Sequence, residues 1–192
     1  PSYFSVFHFY NVEFIVFVAH FIPFIFLSIF MFKKYKYLKE FTLSDITYFF
    51  LIALFGGVIG TLSMVKALQL SEFGQYSVVI LLQKLQPVFA ILLAAILLKE
   101  KPGKKFYLLA LVAVCSSYIL AFGFKSPMLL EKNNVQACLY SVLAAFSFGS
   151  GTVFGRKVLN KYDFSTSTFY RFIFTALIMF IILLFKRELG TV

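Results

Sequence analysis

The chain reads as long apolar runs separated by short basic stretches. Six runs approach the roughly 20 residues that a helix needs to cross the hydrocarbon core of a bilayer. They cover about 12–32, 46–70, 74–98, 105–124, 135–155 and 165–185. Barrel strands would alternate apolar and polar residues at every second position, and none of these runs does so. The pattern predicts an all-α transmembrane protein, a polytopic helical bundle of six helices embedded in the lipid bilayer.

The third run is the one that polar residues interrupt. In "LLQKLQPVFAILLAAILLKEK", residues 81–101, Gln83, Lys84, Gln86 and Pro87 fall within little more than one turn. Lys84 would lie about ten residues into the helix, roughly 15 Å deep, too far for easy reach to either surface. Pro87 has no N–H to give to the carbonyl of Gln83. A freed carbonyl, two amides and an ammonium at the bilayer midplane form a patch of the kind that lines a substrate cavity. The alternative is a structural cluster, with Lys84 held by carbonyls or by a carboxylate on another helix.

Charge gives the predicted helices an orientation. Lys33, Lys34, Lys36, Lys39, Lys99, Lys101, Lys104, Lys105, Arg156, Lys157 and Lys161 share one side, and Lys125, Lys132, Lys186 and Arg187 the other. The excess of lysine and arginine marks the cytoplasmic side. Loops 33–45, 99–105 and 156–163 are therefore expected in the cytoplasm, and the protein in the cytoplasmic membrane. That places the amino terminus outside, although no signal peptide precedes it, and a further helix upstream is the expected explanation.

Composition agrees. The chain has 192 residues, 61% hydrophobic and only 14% charged, against about half and a quarter in soluble domains. A formal charge of +10 would suit nucleic acid if it formed one patch, but the basic residues, apart from Lys66, Lys84 and Arg171, are spread over separate short stretches between the apolar runs. No nucleic-acid partner is expected. Cys115 and Cys138 stand alone, with no spacing that suits a metal or a disulfide framework. There is no GxxxxGK[ST] loop for ATP and no HExxH helix. No metal, no cofactor, no catalytic residues and no enzymatic activity are expected.

Several stretches together resemble the EamA-type family of the drug/metabolite transporter superfamily. "QKLQPVFAILLAAILLKEK" is similar to that family's fourth helix, with Pro87, Ala90, Ala94, Ala95 and Glu100 as its marks. "MVKALQLSEFGQYSVVI" resembles the third helix. "AAFSFGSGTVFGRKVL" and "YRFIFTALIMFIILL" resemble the first two helices of the family's second repeat. The resemblance implies ten helices in two inverted repeats of five. Residues 1–125 would hold helices two to five of the first repeat, and 133–192 the first two of the second. The chain would then be a partial copy of a longer transporter, or a naturally truncated one.

The same resemblance implies a secondary carrier, more often an exporter, that moves small organic metabolites or drugs by alternating access. The competing expectations are a non-transporting membrane fragment and, with far less support, an intramembrane enzyme. The substrate-cavity candidates are Gln83, Lys84, Gln86, Pro87, Tyr76, Arg171 and His20. Arg171 could hold an anionic group or snorkel to the headgroups, and His20 is more often a packed or hydrogen-bonded histidine than a ligand. Lys66 is expected to snorkel, and Glu13 to be solvated. Gly56 and Gly60, and Gly151 and Gly155, form GxxxG pairs that let helix backbones approach. Those faces would serve either internal packing or a homodimer.

Overall fold

The computed structural model describes residues 11–71, 76–122 and 132–186. Lys125 and Arg187, and residues 72–75 where the second predicted span gives way to the third, lie outside them. Among the described residues the structure is helical, without strands. The helices are α1 (Val12–Phe30), α2 (Leu43–Leu51), α3 (Gly60–Leu70), α4 (Tyr76–Gln83), α5 (Gln86–Leu97), α6 (Lys104–Phe122), α7 (Lys132–Leu159) and α8 (Phe164–Lys186). A 3₁₀ segment, Phe32–Lys39, follows α1, and a π-wound segment, Ile52–Ile59, joins α2 to α3. Five stretches are long and apolar enough to cross a membrane: Val12–Phe30, Leu43–Leu70, Val78–Leu97, Asn133–Leu159 and Phe164–Lys186. The fourth predicted span is present as α6. The protein is a polytopic helical bundle, as its hydropathy pattern predicts.

Local chemistry sets the helix ends. The Asn11 side chain accepts from the amide of Glu13 at 3.1 Å and caps α1. Thr42 and Asp45 form a reciprocal capping box that starts α2, three residues before the predicted start of the second span at 46. Lys99 takes a left-handed φ of 56° after α5, and Pro102 follows closely; both stop a helix. Glu13 departs from expectation. It is ion-paired with Lys186 at the far end of α8 rather than merely solvated, because α1 and α8 run along one another.

The chain divides into two compact units, Pro1–Leu62 with Gly151–Val192, and Ser63–Ser150. In the first, α8 packs against α1, α2 and the π-wound segment. Its core is aromatic: Phe49, Ile52, Val158, Tyr162, Phe169 and Tyr170 are buried together, with Phe41 and Tyr37 against them. Phe41 meets the rings of Phe49, Tyr162 and Tyr170 at 5.1, 5.4 and 4.6 Å, distances that favour edge and offset contacts. Polar links surround this core. Lys34 pairs with both oxygens of Asp163 at 3.0 and 3.1 Å. Lys161 and the Tyr162 hydroxyl both donate to Asp45, and the Tyr170 hydroxyl donates to the carbonyl of Lys34 at 2.8 Å.

Backbones approach most closely in the same unit. A Cβ added to Gly151 would lie 2.8 Å from the Cα of Gly56, and one added to Gly57 would overlap the Thr175 side chain. Gly155, by contrast, has nothing within 4 Å of the Cβ position. The close pair therefore joins one residue from each GxxxG motif within the chain. In the second unit, Leu82, Leu85, Cys138 and Ala145 form one core and Ala67, Val79 and Ala137 another. Gly149 of α7 rests on α5, where an added Cβ would lie 3.1 Å from the carbonyl of Gln86 and 3.0 Å from the amide of Ala90.

Candidate functional site

The polar patch of the third span interrupts the helix rather than decorating it. α4 ends at Gln83, Lys84 and Leu85 form a turn, and α5 begins at Gln86. The turn is held by short-range bonds, from the Lys84 amide to the Leu81 carbonyl at 3.0 Å and from the Leu85 amide to the Leu82 carbonyl at 3.1 Å. Pro87 occupies the first turn of α5, where its missing N–H is not needed and its fixed φ suits a helix start. One residue type thus accounts for both the end of α4 and the beginning of α5.

Around the break, Leu82 and Leu85 are buried against α7 while Lys84 and Pro87 are exposed on this unit. Gln83 and Gln86 are half-buried, and the amide of Gln83 meets the sulfur of Met64 on α3. Tyr76 opens α4 and is half-buried. The break therefore anchors its apolar residues and leaves its one cation outward. Lys66 on α3 is also exposed.

His20 and Arg171 belong to the other unit, where α1 and α8 bring them to a common neighbour. The ring of Phe172 lies 5.7 Å from the His20 imidazole and 5.4 Å from the Arg171 guanidinium. His20 is buried, and its Nδ1 lies 2.9 Å from the carbonyl of Val16. A carbonyl only accepts, so that nitrogen carries the proton. Arg171 is half-buried, and its Nε is buried without a hydrogen-bond partner. Thr175, one turn further along α8, is fully buried, and its hydroxyl also lacks a partner where it faces Gly57.

Among the described residues, Asp45 lies in the first turn of α2 and Asp163 just before α8. Asp163 is held below the usual carboxylate range, first by the Thr166 hydroxyl and then by Lys34. Lys161 is held above the usual lysine range by its hydrogen bond to Asp45. No group of three His, Cys, Asp or Glu side chains suited to a metal ion occurs among the described residues. The ion pairs of Asp45 and Asp163 escaped sequence reasoning because their partners are more than a hundred residues distant. The Thr42–Asp45 spacing was the one local signal available.

Similarity to known proteins bears on what these groups serve. A sequence model of the EamA-like transporter family matches residues 4–122 and again 135–190. The chain is 45% identical over 182 residues to a protein of Fusobacterium nucleatum named "Riboflavin transporter ImpX". That alignment takes in 94% of this chain and 61% of the relative, so the chain spans about three fifths of the relative's length. No solved structure matches. With both family matches together covering most of its residues, the chain belongs to the EamA-like transporter family.

Proposed function

We propose that the protein is a secondary carrier of small organic metabolites or drugs, working by alternating access in the cytoplasmic membrane, and that riboflavin is the first solute to test. The observation that carries this reading is the helix break at Lys84–Leu85, found in a chain of a transporter family. Broken membrane helices supply carbonyls, amides and a helix start at the depth where carriers hold solutes. The relative's name supports the choice of riboflavin. Gln83, Lys84, Gln86, Pro87 and Tyr76 are the candidate substrate-contacting residues of the second unit, and His20 and Arg171 those of the first.

Two matches to one family model support the division into two repeats, 1–125 and 133–192. Loops 33–45, 99–105 and 156–163 then face the cytoplasm, as the lysine and arginine excess requires. Export is the direction the resemblance implies, and reconstituted vesicles can read both directions. In the test, the protein is placed in liposomes and exchange of labelled riboflavin is followed from either side. Lys84→Ala is expected to reduce exchange at least tenfold while the thermal midpoint in detergent stays within about 2 °C of the parent, since an exposed side chain contributes little stability. Exchange that is unchanged in Lys84→Ala would remove the break from the transport pathway.

A further inference from the structure

We propose that Arg171 and His20 read the polar edge of the transported solute, and that the class they select is a planar heteroaromatic ring bearing carbonyl or ring-nitrogen acceptors. The inference rests on the transport reading above. It starts from depth. Arg171 lies seven residues into α8, about 10 Å along the axis, and His20 eight residues into α1, about 12 Å. Ionisable residues at such depth are costly and face a bundle interior or hydrated cavity by default. Lys186, at the end of α8, meets its charge requirement by pairing with Glu13. Arg171 has no such arrangement at Nε, which is buried with an unused donor. A guanidinium stays charged, so the donor cannot be removed by losing a proton.

The surroundings define what would fill it. The Arg171 guanidinium lies over Phe172, and the same ring adjoins His20. With Nδ1 protonated toward Val16, Nε2 is the ring nitrogen left to meet a solute, as an acceptor when the imidazole is neutral. Pro23, three residues beyond His20, leaves the Ala19 carbonyl without its helical donor. Nearby, Phe17 stacks on Phe21 at 4.9 Å and approaches Phe180 at 6.1 Å. A forked donor, an imidazole acceptor and flat aromatic surfaces complement an edge in which carbonyls flank an N–H, as in a pyrimidinedione. A flexible polyol would leave the aromatic surfaces unused, and a simple carboxylate would leave the acceptor unused.

The experiment measures riboflavin exchange in liposomes for the parent, Arg171→Gln and Arg171→Lys, with competition by lumiflavin, which keeps the ring, and by ribitol, which keeps only the chain. The expected result is competition by lumiflavin and none by ribitol. KM should rise about tenfold or more in Arg171→Gln, the loss of a charge-assisted hydrogen bond, with a smaller effect on maximal rate. Arg171→Lys should recover only part of the affinity, because it keeps the charge and loses the fork. If the parent exchanges riboflavin and Arg171→Gln leaves KM unchanged, the assignment of Arg171 is overturned while the transport reading stands. Competition by ribitol in place of lumiflavin overturns the ring class. If the parent exchanges no riboflavin, the flavin reading falls and this inference falls with it.

Discussion

Three glycines that look equivalent in sequence should respond to alanine with different signs. At Gly151 an added Cβ would lie 2.8 Å from the Cα and 3.0 Å from the nitrogen of Gly56. Carbon atoms sit comfortably at about 3.5–4.0 Å, so α7 and the π-wound segment would have to part by about 0.7 Å or more. Both opposing atoms are main chain, and neither can rotate aside. Overpacking of this kind costs about 1–3 kcal/mol, or about 3–10 °C in thermal midpoint for a chain of this size. At Gly56 the same construction meets only the Cα of Gly151 at 3.5 Å, an ordinary contact, because the two Cα–Cβ directions are not reciprocal. At Gly155 nothing opposes the methyl group, and alanine should add roughly 0.5–1 kcal/mol of helix preference. The assay is thermal unfolding in detergent, followed by far-UV circular dichroism, for the three single variants. The expected order of stability is Gly155→Ala at or above the parent, Gly56→Ala near it and Gly151→Ala clearly below. A Gly151→Ala protein as stable as Gly155→Ala would refute the close approach.

Gly57→Ala should be destabilised by a similar amount, since its methyl group would overlap Thr175 Oγ1, Cγ2 and Cβ. Because that obstacle is mostly side chain, adding Thr175→Ala should restore about half of the loss or more, and a double-variant cycle checks the coupling. The Lys34–Asp163–Thr166 links should stabilise the protein in one pH range only. The folded-state pKa of Asp163 is depressed, so its contribution is present above the unfolded carboxylate value of about 4. It is lost as pH falls through the lower folded value. Asp163→Asn should therefore melt below the parent at neutral pH and converge with it in strong acid. A gap that persists in acid would contradict the assignment.

Much of the architecture was legible in the order of apolar and polar residues. Spans of about 20 apolar residues have one workable solution in lipid, since each backbone polar group needs a partner within its own segment. That physics placed α1, α6 and α8 within a few residues. It also marked 81–87 as exceptional, because Gln83, Lys84, Gln86 and Pro87 conflict with an apolar surround. The glycines were visible as small residues, but not their pairing. Spacing along a helix names a face, whereas the meeting of Gly151 with Gly56 depends on how two helices cross.

Other features exist only in three dimensions. The aromatic core of Phe41, Phe49, Tyr162, Phe169 and Tyr170 draws on segments more than a hundred residues apart. In a chain with 28 phenylalanines, composition does not distinguish those that pack inward from those that face outward. Glu13, read as a solvated helix start, is fixed by Lys186 because α1 and α8 lie side by side. The sequence by itself determined that this chain spans a membrane, where its helices fall and that one of them carries an exceptional polar cluster, since solvation of the backbone and of charged groups is a local requirement. Only the tertiary structure decided which charges are paired, which glycines carry the close contact and that Arg171 and His20 share Phe172. Those outcomes follow from the positions of groups distant in the chain, and no local pattern of residues encodes them.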